Sequence, residues 1–278
     1  MSFKRNDLQE YIEYEQGCFD LNQWKTYKPS LINWQISQSN ISNIQRCVDS
    51  DIQSYYFKAL QSIGQALDEI RKQKFAWSIV KLYYSTFYLL RCDILLSGFI
   101  MVRCGGLYYS EIKVGERLKL YQKNNLRGDH QYTIALANHL YDNGDFSDPI
   151  LGNKIDGENA YLWLLKNRER VNYQMKDFSD PYPDRIISHI YSYFKEENLS
   201  RLLDFYASNT DYSVCFTKDH SVLSIPIKKL IDVHKKIMSN TNFDDVHSRK
   251  LASLNHLLRN LNISKSELNT IKTHANIL

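Results

Sequence analysis

The stretch FAWSIVKLYYSTFYLLRCDILLS, Phe75 to Ser97, lies in the most apolar part of the chain and decides how the rest is read. Wound as an α-helix, it places Ile79, Leu82, Tyr83, Tyr84, Phe87, Leu90 and Ile94 around nearly its whole circumference. A helix that is apolar all round belongs in the middle of a bundle. Lys81, Arg91, Asp93 and Arg103 interrupt the wider run from Trp77 to Val102, which makes a membrane span costly and a buried helix the better reading. Gly98 is a natural stop, since glycine tolerates the left-handed turn that ends many helices.

Working outward, Ile52, Tyr55, Tyr56, Ala59, Ile63, Ala66 and Ile70 recur at steps of three and four, and predict a helix from Asp51. Residues 1–50 read as an N-terminal arm with a short helix from Asp7 to Phe19 and with Trp24 and Trp34 as anchors. Downstream, Cys104-Gly105-Gly106 demands a turn, Leu107-Tyr108-Tyr109 fits a short strand, and Glu116 to Gln122 a helical turn. Gly128-Asp129 are expected to precede a helix to about Tyr141 with Asp129 as its N-cap, and another helix is expected from Asp156 to Met175. Asp180-Pro181-Tyr182-Pro183 marks a boundary. Beyond it come a helix from Asp184 to Tyr206, a small hairpin (Tyr212 to Phe216 and Ser221 to Ile225) and helices from Ile227 onward. The expected fold is all-α: an arm at 1–50, a helical core at 51–180 and a C-terminal helical extension with that hairpin at 181–278.

Composition supports a folded helical protein. Of 278 residues 43% are hydrophobic and 24% charged, which excludes wholesale disorder, and only 10 Gly and 5 Pro argue against a many-turned β-sandwich. A net charge of +4 is too small to imply nucleic acid by itself, so a phosphate site has to come from local clustering. The five cysteines are scattered and show no C-x-x-C spacing, so neither structural zinc nor a disulfide framework is expected. The first residues carry no apolar signal segment, and a cytoplasmic protein is expected. No Walker, dinucleotide or nucleophile-elbow motif is present, and no cofactor or metal site is expected. The pairs Lys228-Lys229, Lys235-Lys236 and Arg249-Lys250 read as a solvated face, with a surface for nucleic acid or an acidic partner as the sharper reading.

The helix expected over 156–175 carries the chemistry. With Arg168 at its reference angle, Tyr161, Leu164, Leu165, Val171, Asn172 and Met175 fall within about 60° of it, while Lys166 and Arg170 lie on the far side. An arginine centred on an apolar stripe needs a partner, because its charge cannot be shed. An internal salt bridge to Asp93 or Asp129 would satisfy it; so would an anion held between two copies of the helix around a twofold axis.

Ala76-Trp77-Ser78-Ile79-Val80-Lys81-Leu82-Tyr83-Tyr84-Ser85-Thr86-Phe87 resembles the second helix of HEPN (higher eukaryote and prokaryote nucleotide-binding) domains, with the long apolar run and Gly98 following. Asn167-Arg168-Glu169-Arg170-Val171-Asn172-Tyr173 resembles the arginine-bearing segment of that family's last core helix. The resemblance spans roughly 51–175 and implies a bundle that dimerises through the Arg168 helix. It also implies an RNA-directed role, often as a metal-independent endoribonuclease, in a toxin–antitoxin or anti-phage defence system with a partner protein of the same operon. It makes Arg168, Asn172 and Tyr173 the candidate catalytic set. The chain departs from the family at the decisive place: Tyr173, Gln174 and Met175 stand where the general-base histidine is expected. A phenol of pKa about 10 is a poor base, and on an α-helix Tyr173 points about 140° from Arg168. RNA binding is thus better supported than cleavage, and the alternative is a catalytically inactive dimerisation module that scaffolds a partner enzyme. His130, His139 and His189 are the remaining sources of a base.

Overall fold

A computed structural model describes residues 5–18, 26–122, 126–196 and 198–239; Trp24 and Arg249-Lys250 lie outside them. Among these residues the helices are α1 (Asp7–Glu15), α2 (Lys28–Asn33), α3 (Ile41–Arg71), α4 (Phe75–Leu96), α5 (Gly128–Asp142), α6 (Ala160–Glu169), α7 (Arg185–Lys195), α8 (Leu199–Ser208) and α9 (Lys218–Met238). The strands are β1 (Phe99–Arg103), β2 (Leu107–Glu111), β3 (Lys119–Leu120), β4 (Lys154–Ile155) and β5 (Glu158–Asn159). The class is all-α, with one three-stranded and one two-stranded antiparallel sheet. No helix among the described residues is long and apolar enough to cross a membrane. The chain divides into two compact units, one from 1–55 and 91–146, the other from 56–90 and 147–278, so α3 and α4 contribute residues to both.

In the first unit α1 is tied down at its N-terminus. The buried Asp51 carboxylate accepts the backbone N–H groups of Asp7 and Leu8 at 2.8 and 3.1 Å, satisfying donors that no helical carbonyl can reach. Burial pushes the Asp51 carboxyl up to about 6, against the opposing pull of those two N–H bonds. The Gln9 amide pairs with both backbone groups of Arg103 and so covers one end of strand β1. Leu107–Glu111 forms a strand as expected, but residues around Lys119 form β3 rather than a helical turn. Asp129 does not cap α5, whose N-cap is Arg127; its carboxylate instead takes Arg91 at 2.8 Å and Arg103 at 3.4 Å.

The second unit is built on α9. Every residue from Ser221 to Ile231 is buried, and α9 packs against α7 and α8. The expected C-terminal hairpin is absent: Ser213–Phe216 is a 3₁₀ turn and Ser221 to Ile225 lies inside α9. The apolar run ending at Pro226 carries no period that separates a buried strand from a buried helix, and α9 accommodates the proline within it. Asp184 to Tyr206 is likewise two helices, α7 and α8. Lys228 and Lys229 are not a solvated pair. Lys229 meets the buried Asp148 carboxylate at 2.6 Å, which also accepts the Tyr161 hydroxyl at 2.5 Å, and Lys228 donates to the Asn209 carbonyl.

Candidate nucleic-acid interface

The outward face of α4 is narrow and consists of four side chains. From Phe75 to Leu90 every residue of α4 is buried except Trp77, Lys81, Tyr84 and Tyr88. Their spacing of four, three and four puts them on one face, over about 16 Å of helix. The stripe is aromatic and cationic together. Trp77 meets Phe178 edge-on, with ring centres 6.3 Å apart and both rings about half exposed. Lys81 pairs with Glu69, the rings of Tyr84 and Tyr88 are 6.1 Å apart, and the Lys58 ammonium lies 5.8 Å from the centre of the Tyr88 ring.

Arg168 joins this stripe from α6. The helix is shorter than expected: residues 154–159 are the β4–β5 hairpin, turning at Asp156 and Gly157, both with positive φ. Asp-Gly is the pair that such two-residue turns favour, so the signal was present in the sequence. Asn159 then caps α6 by accepting the N–H groups of Tyr161 and Leu162. Tyr161, Leu164, Leu165 and Val171 are buried as the stripe requires, and Arg168 sits half-buried at its edge.

The guanidinium is held by tyrosines. Arg168 Nη2 donates to the Tyr84 hydroxyl at 2.8 Å, and its guanidinium carbon lies 5.4 Å from the centre of the Tyr84 ring and 5.3 Å from that of Tyr173. Such faces attract a cation through the ring quadrupole. Among the described residues no carboxylate pairs with Arg168, and its Nε is buried without a hydrogen-bond partner. Burial pulls the Arg168 pKa down, but the Tyr84 bond and the neighbouring tyrosines outweigh it and hold the group above its ordinary value. Asp129, one carboxylate expected for Arg168, pairs with Arg91 and Arg103 within the first unit.

Tyr173 reaches Arg168 because the helix changes its winding. Residues 170–174 form a π turn, and the Met175 N–H donates to the Arg170 carbonyl at 3.0 Å, five residues back. In that winding residues five apart lie near one another, which overturns the 140° separation expected from an α-helix. Tyr173 is 71% exposed and so offers its other face to solvent. Asn172 is half-buried, and the structure shows no bond between it and Arg168. No histidine among the described residues bonds to or stacks on Arg168. His139 lies in the first unit beside Tyr109 and Tyr121 in a cleft of about 430 Å³. His189 lies on α7 against His220. Among the described residues there is no cluster of three or more side chains suited to a metal ion.

Arg168, Tyr84 and Tyr173 are thus brought together, while Trp77, Lys81, Tyr88 and Phe178 are partners that reading the sequence missed. The missed signal was the spacing of four, three and four by which two tyrosines, a lysine and a tryptophan line up on an otherwise buried helix. No protein-family model, curated protein or solved structure matches this chain.

Proposed function

We propose that this protein binds single-stranded RNA along the outward face of α4, with Arg168 holding a backbone phosphate. The observation that carries the reading is a guanidinium that has given up part of its water, rests on two tyrosine rings and faces no carboxylate among the described residues. Such a group gains from forked hydrogen bonds to an oxyanion. The exposed rings of Trp77, Tyr173 and Phe178 supply the stacking faces that tolerate any base, and Lys58 adds positive charge beside Tyr88. Membership of the HEPN family belongs to the same proposal. The two blocks that carry the resemblance meet in the Tyr84–Arg168 hydrogen bond. On this reading the protein is cytoplasmic, forms a homodimer through the Arg168 helix and serves a toxin–antitoxin or anti-phage system. Binding is proposed rather than cleavage, because an amide at Asn172 cannot shuttle a proton and, among the described residues, no histidine stands at Arg168.

Fluorescence anisotropy with a labelled single-stranded RNA tests it. Wild type is expected to bind, Arg168→Ala to bind at least tenfold more weakly with an unchanged circular dichroism spectrum, and Trp77→Ala to lose affinity without losing fold. The half-exposed Trp77 and Phe178 also favour a second reading, a non-catalytic interaction module. Absence of RNA binding together with a dimer that Arg168→Ala dissociates would replace the first reading with the second.

A further inference from the structure

A second cleft, of about 530 Å³, opens among α7, α8 and α9, outside the stretch that resembles HEPN domains. Its walls carry His189, Tyr193 and Glu196 from α7 and the turn after it, Arg201 and Phe205 from α8, and His220 from α9. The rings are set against one another: His189 and His220 stand nearly perpendicular with centres 4.8 Å apart, Tyr193 lies 5.5 Å from His189, and Phe205 lies 6.2 Å from His220. Nothing in the α4–α6 site uses these groups.

The chemistry of the cleft is set from beneath. The buried Tyr206 hydroxyl lies 2.8 Å from His220 Nδ1. Burial drives the Tyr206 phenol far above its usual range, so it keeps its proton and stays hydrogen-bonded to Nδ1. That bond occupies Nδ1 and leaves Nε2 as the ring nitrogen for a ligand. Burial and the neighbouring His189 both hold the His220 pKa below its ordinary value. Tyr206 therefore holds the His220 ring in place. Arg201 adds an exposed guanidinium that makes no ion pair among the described residues, and His189 is exposed beside it. The Arg201 guanidinium and the imidazoles on the same walls suit an oxyanion, the half-exposed Phe205 and the Tyr193 ring suit a flat ring, and the Glu196 carboxylate suits a hydroxyl or amino group. The volume is that of a small-molecule site.

We infer that this cleft binds a phosphate monoester carried on a flat heteroaromatic group, the chemistry of a mononucleotide, with the phosphate on Arg201 and His220 and the ring against Phe205 and Tyr193. Isothermal titration of the full chain with adenosine monophosphate, adenosine and inorganic phosphate tests it. The monophosphate is expected to bind at one site per chain, at least tenfold tighter than either fragment. Arg201→Ala is expected to reduce its affinity to that of adenosine, and this exposed substitution leaves the fold intact. Tyr206→Phe frees the His220 ring to turn and is expected to weaken binding severalfold. Arg168→Ala is expected to leave binding unchanged, which separates this site from the RNA track. No saturable heat at millimolar monophosphate, or an affinity that survives Arg201→Ala, overturns the inference. So does one that falls with Arg168→Ala, whatever the outcome for RNA.

Discussion

Arg91 and Arg168 both lie against a tyrosine ring, Arg91 at 5.2 Å from the centre of Tyr55 and Arg168 at 5.4 Å from that of Tyr84. In the first unit Arg91 also meets the Asp129 carboxylate at 2.8 Å, and its side chain is only 11% exposed. In the second unit Arg168 is half-buried, has a phenol where Arg91 has a carboxylate, and has Tyr173 on its other side. The same side chain on the same kind of ring is an ion-paired clip in one place and, among the described residues, is held by phenols alone in the other. What separates them is the counter-charge. Lys229, fully buried on Asp148, shows the closed arrangement at its limit.

That contrast can be broken most forcefully at Lys229. Asp148→Ala leaves a buried ammonium without its carboxylate and is expected to destabilise the second unit by about 3–5 kcal/mol, read as a lowered urea midpoint. Asp129→Ala is expected to cost less, about 1–3 kcal/mol, because its carboxylate is 33% exposed and water can replace part of it. Arg168→Ala is expected to cost about 1–2 kcal/mol, since two cation–π contacts and one hydrogen bond are lost. A loss as large as that of Asp148→Ala would make Arg168 another clip.

The two units also differ in their response to pH. The Asp51 carboxyl is raised to about 6 by burial, so its ionised form burdens the folded state. The first unit is therefore expected to gain stability as pH falls from about 6 towards the carboxylate's unfolded value, and to lose it again on the way up. In the second unit His220 is held below its ordinary value, so its contribution is full above about 6.5 and is lost as pH falls through its folded pKa. Carboxyl and imidazole titrations followed by NMR should show Asp51 and His220 moving in these opposite senses.

Much of this was legible in the sequence for physical reasons, and the failures have physical reasons too. A helix such as α4, apolar all round and closed by Gly98, has no alternative reading of comparable length. Arg168 stood out because a charge on an apolar stripe is costly wherever the rest of the chain goes. The Tyr173 contact was not legible, because a change from α to π winding moves a residue to another face without altering any spacing. Lys228 and Lys229 look like a surface pair, and the carboxylate that allows Lys229 to be buried lies 81 residues away. Pro226 and the apolar residues before it read equally as strand or helix, and packing against α7 and α8 decided the matter.

The most direct measurement is the salt dependence of RNA affinity for wild type and Arg168→Ala. Each phosphate contact on a single strand contributes about 0.7 to the slope of log affinity against log salt. Arg168→Ala is expected to make that slope shallower by about this amount, with weaker binding at every salt concentration and an unchanged circular dichroism spectrum. Identical slopes and affinities in the two proteins would show that the guanidinium on Tyr84 and Tyr173 touches no phosphate.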